Sequence, residues 1–452
     1  MTSPPPASDP RDDTPAAIIP PYQTPSPNQS IELYRGPMLV SQASATAHGD
    51  GLLVLNWLPS PRLEFSLDLP DFSTPIEDGQ AILTLPQRSA SAQILVTSHN
   101  YGWSKSSVHS YHRIGGIVSD RLAIDAGRRL TSLVFHLTNF PGYLGSRIRN
   151  SAQGWHGRAT LSAANWRITL DSVPKLSDLE RTLSAAGGYA ITHVGRLERA
   201  DASLFSLPEA SAMLELLTHF FSFAAGRWSA VLLPVGFDTD GARQAEAWYS
   251  SKISPVGFSD SWLDAHHPEA LVGTFPGFFS WWHDPIWAPS APGAIHWYVE
   301  SNVSAGSLDS SIILAQIDLE LLSWIHFVEH THTHSSSAFN PLPAETKIRQ
   351  LLTWVGLPLD IPSALSSLTS FTAGPSPLDG PAALALIRNA LVHPRRRASL
   401  PDRETRYDAH QLGLWYLELS LLRLFDYHGV YNNRLRPDRA TGLVDPVPWA
   451  SP

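Results

Sequence analysis

Leu386-Ile387-Arg388-Asn389-Ala390-Leu391-Val392-His393-Pro394 reads as the end of an apolar helix. Upstream, Asp379-Gly380-Pro381 offers a helix start with proline in the first turn. Pro394 disfavours helical geometry in the residue before it, so the pattern predicts a helix over Ala382–Val392 that stops near His393. A histidine at a helix C-terminus sits in a field that favours imidazolium, and such a group can both take and give a proton. Arg388 lies about a turn and a half earlier and supplies a fixed positive charge, while Arg395, Arg396 and Arg397 follow at once as backbone-phosphate contacts. The Arg–His spacing alone carries little, because Arg423 and His428 repeat it. Requiring Asn directly after the Arg lowers the chance expectation to roughly 0.03 per chain, and only Arg388 passes. The bland alternative is a surface histidine closing a helix beside solvated arginines.

Around this helix the pattern is helical from Asp309 onward. Ile312–Glu329 is apolar on nearly all sides, which predicts a central, buried helix. Ala344–Val355 is amphipathic, Ile361–Leu368 is short, and Tyr407–His428 is closed by Gly429 as a left-handed cap. About five helices with modest connections make a bundle. Before that, Ser206-Leu207-Pro208-Glu209 has the side chains of a capping box, and apolar residues from Met213 to Phe221 recur at helical spacing until Gly226. A strand at Val231–Phe237 turns at Asp240-Gly241 into a stretch rich in tryptophan (Trp281, Trp282, Trp287, Trp297), read as packing between domains rather than as a ligand platform.

Between Ile31 and Asp201 the period is two. Leu52–Trp57, Arg62–Leu67, Ala81–Leu85, Gln93–Thr97, Ser132–Leu137, Arg158–Leu161, Trp166–Leu170 and Tyr189–His193 predict strands with one face buried, arranged as a sandwich or bent sheet. The expected organisation is a disordered Pro-rich tail over 1–30, a β-rich domain over 31–205, a mixed connecting region over 206–305, a helical bundle over 306–440 and a tail over 441–452.

The chain has 452 residues, 43% of them apolar, enough for two or three packed cores. It has no cysteine, which excludes a disulfide framework, a thiol nucleophile, an iron–sulfur cluster and a thiolate zinc site. The formal charge is −9, so the surface as a whole does not suit a polyanion. The C-terminal part departs from this: Gly380 to Ala440 holds ten arginines against six acidic residues. Met1–Ser30 lacks the features of a secretory peptide, and Gln316, Asp318 and Glu320 argue against a lipid-spanning helix at Ser311–Val328, so a cytoplasmic protein is expected. There is no GxxxxGK[ST], GxGxxG or GxSxG motif.

Arg388-Asn389-x-x-x-His393-Pro394 resembles the signature of HEPN domains, helical bundles that are often metal-independent ribonucleases. Glu320-Leu-Leu in the first long helix, Lys347-Ile-Arg-Gln-Leu-Leu in the second and the run from Gly413 to Arg434 extend the likeness, which is specific from about Ser310 to Arg436. The layout with a β-rich N-terminal part is similar to ApeA-type anti-phage HEPN proteins. The fold class expected is therefore α+β, a β-rich sandwich-like N-terminal domain followed by an all-α HEPN bundle. The resemblance implies that His393 is the general acid/base, that Arg388 stabilises charge on the phosphorus in flight and that Asn389 orders the site. It implies an RNA substrate, transfer RNA included, no metal or other cofactor, and a symmetric dimer whose interface includes the Ala382–His393 helix. Arg395, Arg396 and Arg397, with Arg434, would flank the cleft as RNA contacts. It implies a toxin acting in anti-phage defence by abortive infection, with the N-terminal region as sensor or restraint for a trigger of phage or cellular origin.

Two other readings stand beside this one. His326-Phe-Val-Glu329-His330 has the spacing of an inverted zinc-protease motif, with Glu404 as a distant third ligand, although a helix end running into a polar loop explains it more simply. The other is a bundle that binds a nucleotide or a partner without catalysis, since HEPN domains include silent members.

Overall fold

A computed structural model describes residues 13–23, 26–69, 76–103, 110–257, 259–303, 307–393 and 400–450. The chain divides into two compact units. The first takes the residues up to Glu215, apart from Ser162–Ala164, together with Ser229–Gly257; the second takes Ser162–Ala164, Leu216–Trp228 and the residues that follow.

The first unit opens with six strands, β1 (Ile31–Gln42), β2 (Ala45–Asn56), β3 (Arg62–Leu69), β4 (Gly79–Leu85), β5 (Ala90–Trp103) and β6 (Ser110–Val118). Their period-two pattern buries one face: in β3, Leu63, Phe65, Leu67 and Leu69 point inward while the residues between them stay at least partly exposed. The expected sandwich is corrected here. The strands close into a barrel in the order β1-β2-β3-β6-β5-β4, because β1 pairs with β4 through Leu39 opposite Thr84 and Ser41 opposite Ile82. Alternation is the same for an open and a closed sheet; only this non-local pairing separates them.

The chain continues into β7 (Leu122–Ile124), β8 (Ser132–Thr138), β9 (Ser146–Arg149), β10 (Gly154–Ala163), β11 (Trp166–Ser172), helix α1 (Leu176–Ala186), β12 (Ile191–Arg199), helix α2 (Leu207–Ala225), β13 (Val231–Phe237) and β14 (Arg243–Trp248), of which the end of β10 and α2 from Leu216 onward belong to the second unit. Its sheet has the order β7-β14-β13-β8-β12-β11-β10-β9. β8 lies between β12 and β13 and is buried on both faces, which is why Leu133 to Leu137 reads as an unbroken run with a histidine inside it. Glu209 caps α2 by accepting from the Ser206 N–H at 2.8 Å and hydroxyl at 2.7 Å. Asp240-Gly241 turns β13 into β14 with Gly241 at φ 76°.

Part of the expected disordered tail is ordered. Residues 14–22 form a strap over the sheet: Ala17 N–H donates to Arg149 C=O, Ile18 N–H to Asp171, and Tyr22 N–H to His136 Nε2, with distances of 2.8, 2.8 and 3.1 Å. The Tyr22 hydroxyl donates to Glu246 at 2.5 Å. Proline-rich composition hides this segment because its anchors are single residues rather than a periodic face.

The second unit is helical over α3 (Pro268–His283), α4 (Ala291–Val303), α5 (Leu308–Trp324), a π-turn segment (Ile325–His330), α6 (Ser336–Phe339), α7 (Ala344–Val355), α8 (Ser366–Thr372), α9 (Gly380–Val392) and α10 (Arg403–Leu424). The region 206–305 holds both helices and strands, with α3 and α4 in its later part, and its tryptophans serve this unit's own core: Trp281 packs on Phe278, Trp287 and Phe425. Gly277 lets α3 approach the end of α10, since a Cβ there would stand 1.6 Å from the Phe425 carbonyl oxygen. α5 starts at a capping box between Ser307 and Ser310 and packs against α4, α7, α9 and α10. The stretch Leu308–His330 has the length and apolarity of a membrane-crossing helix, yet 56% of its most apolar window is buried within the protein. α10 is buried on all sides from Ala409 to Leu422. It ends with Asp426 at φ 51°, so the left-handed residue is Asp426 and not Gly429.

Arg434 corrects another expectation. Its side chain is 1% exposed, with Nε 2.8 Å from Glu418 Oε2, Nη2 also on Glu418 Oε1, and Nη2 3.1 Å from Asn302 Oδ1. The Tyr298 hydroxyl donates to the same carboxylate at 2.7 Å. A guanidinium held this way ties α4, α10 and the segment after it together and has no face to offer RNA. Arg434→Ala would leave Glu418 buried and unpaired and is expected to destabilise the helical unit by about 3–5 kcal/mol in urea unfolding; unchanged stability would contradict the pairing.

Buried histidines shape the acid response. Burial pushes His136 down to about 4, His193 to about 3 and His410 to about 4, from an ordinary 6.5. His136 must be neutral with its proton on Nδ1, because Nε2 accepts from Tyr22 while Nδ1 donates to Leu233 C=O at 3.2 Å. The unfolded chain binds more protons than the fold between these values, so the stability is full above about 6.5 and fades as pH falls through about 4. The urea midpoint is expected to drop steadily from pH 7 to pH 4.5; a flat profile would contradict it.

Candidate active site

Helix α9 carries the site. Asp379 caps it by accepting from Ala382 N–H at 3.0 Å, and Arg349 holds that carboxylate with a forked pair of bonds at 2.7 and 3.0 Å. Pro381 occupies the first turn, and Ala383, Leu384, Ile387 and Ala390 form the buried face. The helix ends at Val392. His393 leaves helical geometry at φ −109°, ψ 112°, as a residue before proline should, while its N–H closes the last turn on Asn389 C=O at 3.0 Å.

The three motif residues differ in setting. Arg388 and Asn389 are half-buried and joined by a bond of 3.3 Å from Nη1 to Oδ1. The Nε–H of Arg388 is buried with no hydrogen-bond partner among the described residues, so the guanidinium retains unspent donors. His393 is exposed. Five helical residues correspond to a rotation of roughly 140° between Cα positions beyond the full turn, so one helix does not turn Arg388 and His393 toward a common point. Leu386 and Val392 add exposed apolar surface to the same helix, at 38% and 37%. Arg395, Arg396 and Arg397 lie outside the described residues. Arg434, as shown above, belongs to the core.

The zinc arrangement is not assembled. The rings of His326 and His330 stack at 6.0 Å and 29°, and His326 lies against Trp354 at 3.9 Å. Burial, followed by the nearby His330, lowers His326 to about 4. Glu329, the intended base, accepts from Trp324 Nε1 at 2.6 Å, and Glu404 is an exposed residue in the first turn of α10. Among the described residues no three His, Asp or Glu side chains converge as a metal-ligand set. The π-turn accounts for part of this, since it changes the angular offset of residues four apart that a regular helix would give.

One buried acid escaped the sequence reading. Asp318 is fully buried in α5 with neither oxygen bonded among the described residues, and burial raises it well above the ordinary carboxylate range. Its signal was present as an acid within an apolar run, which weighs against lipid but says nothing of where the carboxyl points.

Comparison with known proteins follows the same division. Residues 284–445, from just before α4 to beyond α10, match the family described as YopA C-terminal domain. Residues 125–259, which include β8 to β14, match the YopA central domain. The SPbeta prophage-derived uncharacterized protein YopA of Bacillus subtilis (strain 168) is 27% identical over 439 residues, covering 93% of this chain and 95% of the relative. No solved structure matches the chain. The likeness to YopA thus runs through both units, and the motif residues fall within the part similar to the YopA C-terminal domain.

Proposed function

We propose that the helical unit is a HEPN bundle and that the chain is a metal-independent endoribonuclease. The observation that carries the reading is the end of α9, where an exposed imidazole follows a guanidinium with unspent donors on a firmly capped helix. RNA brings its own nucleophile, the ribose 2′-hydroxyl. His393 takes that proton, the 2′-oxygen attacks phosphorus, Arg388 neutralises the non-bridging oxygens, and an imidazolium protonates the departing 5′-oxygen. Asn389 steadies the guanidinium through their mutual bond.

The angular offset of Arg388 and His393 supports a cleft built from two copies, with the exposed Leu386 and Val392 in the contact. The first unit then acts as sensor or restraint, since a nuclease aimed at cellular RNA must be held off until needed. The prophage origin in the relative's name supports a setting of conflict between phage and host, in the cytoplasm where that RNA lies.

RNA cleavage by the full chain is expected to persist in EDTA, and His393→Ala or Arg388→Ala to lower it at least about 100-fold with unchanged folding. Cleavage that disappears with the chelator, or survives His393→Ala, would overturn the assignment.

A further inference from the structure

The strap of residues 14–22 does more than cover a sheet edge. It is pinned at two separate places. Near its start, Arg149 N–H donates to Pro15 C=O at 3.0 Å, and Arg158 reaches Ala16 C=O at 2.9 Å while holding Asp171 through both oxygens at 2.7 Å. Near its end, Tyr22 is fixed by His136, Glu246 and Trp248. Between the pins Ile18 is buried against Val134 and Val194 while Ile19 is 80% exposed, so the strap turns one apolar side chain onto the sheet and the next to solvent.

Beside the strap lies a cavity of about 740 Å³, within the first unit and lined by residues of the strap, α1 and the strands β11 and β12. This falls within the roughly 300–1,000 Å³ that small-molecule sites occupy. Its walls are mostly apolar, with Pro20, Trp155, Val173, Leu179, Ile191 and Val194. The charges around it are unequal. Asp171 is already matched by Arg158 and by the Ile18 N–H. Asp178 is ion-paired with Arg181 at 3.0 Å. Lys175 makes no ion pair among the described residues, is exposed, and is one of four lysines in the chain.

We propose that this cavity binds a small amphipathic anion, with an apolar body against Trp155, Leu179, Ile191 and Val194 and its acidic group at Lys175. A mostly apolar lining excludes a fully charged metabolite, and the exposed, unpaired Lys175 in that lining selects the sign of the head group. The site lies in the unit assigned a sensing role, but the proposal stands on the cavity and does not need the ribonuclease reading.

Two dyes with the same aromatic body separate the terms. The full chain is titrated with 1-anilinonaphthalene-8-sulfonate, which carries a sulfonate, and with N-phenyl-1-naphthylamine, which does not. The sulfonate dye is expected to bind one per chain and more tightly than the neutral one. Lys175→Glu, at an exposed position, should weaken the anionic dye about fivefold or more and leave the neutral dye unchanged. Leu179→Trp, which adds bulk to the wall, should weaken both. Absence of stoichiometric binding, equal affinity for the two dyes, or indifference to both substitutions would each overturn the proposal.

Discussion

A residue followed by proline is driven from helical geometry, and in this chain that residue is His393. The consequence reaches well beyond one dihedral angle. Without the stop, α9 would carry the imidazole onward around the helix; with it, the ring stands at an exposed helix end just past an otherwise well-buried face. The opposite end is held as firmly, by Asp379 capping the first turn while Arg349 grips the same carboxylate. A short helix fixed at both ends is a rigid mount, which is what the proposed proton transfer from a ribose hydroxyl would require.

The parts of the fold that were legible in the sequence are those decided by neighbours along the chain. The end of α9 follows from Pro394, the close of α2 from Gly226 at φ 65°, and the β13 strand from its own apolar run. The parts that were hidden depend on distant partners. Closure of the barrel rests on β1 meeting β4, which alternation cannot express. The helices α3 and α4 were masked by proline and glycine: Pro276 sits inside α3, and Gly277 is there for a close approach to Phe425, not for a turn. The ordered strap was masked by the same composition.

The candidate site divides in the same way. Arg388, Asn389 and His393 were legible because a short motif and a stop signal lie in one segment. Arg434 was misread as a surface cation because sequence shows a charge but not its partner; Glu418 lies 16 positions away, and only the packed helices bring the two together. Burying a carboxylate and a guanidinium is costly, and Tyr298 and Asn302 offset part of that cost by bonding to Glu418 and to Arg434 Nη2. His326 and His330 show the converse error, a motif whose spacing is right while its helical geometry is not.

In the proposed reaction a 2′-hydroxyl attacks its neighbouring phosphate with His393 as base, and the ends of the cut RNA report that step directly. Analysis of the termini left by the purified full-length chain should find a 2′,3′-cyclic phosphate on one fragment and a 5′-hydroxyl on the other, with no cutting where the attacking ribose is replaced by deoxyribose. Fragments bearing a 5′-phosphate and a 3′-hydroxyl, or cutting that tolerates the deoxyribose, would contradict it.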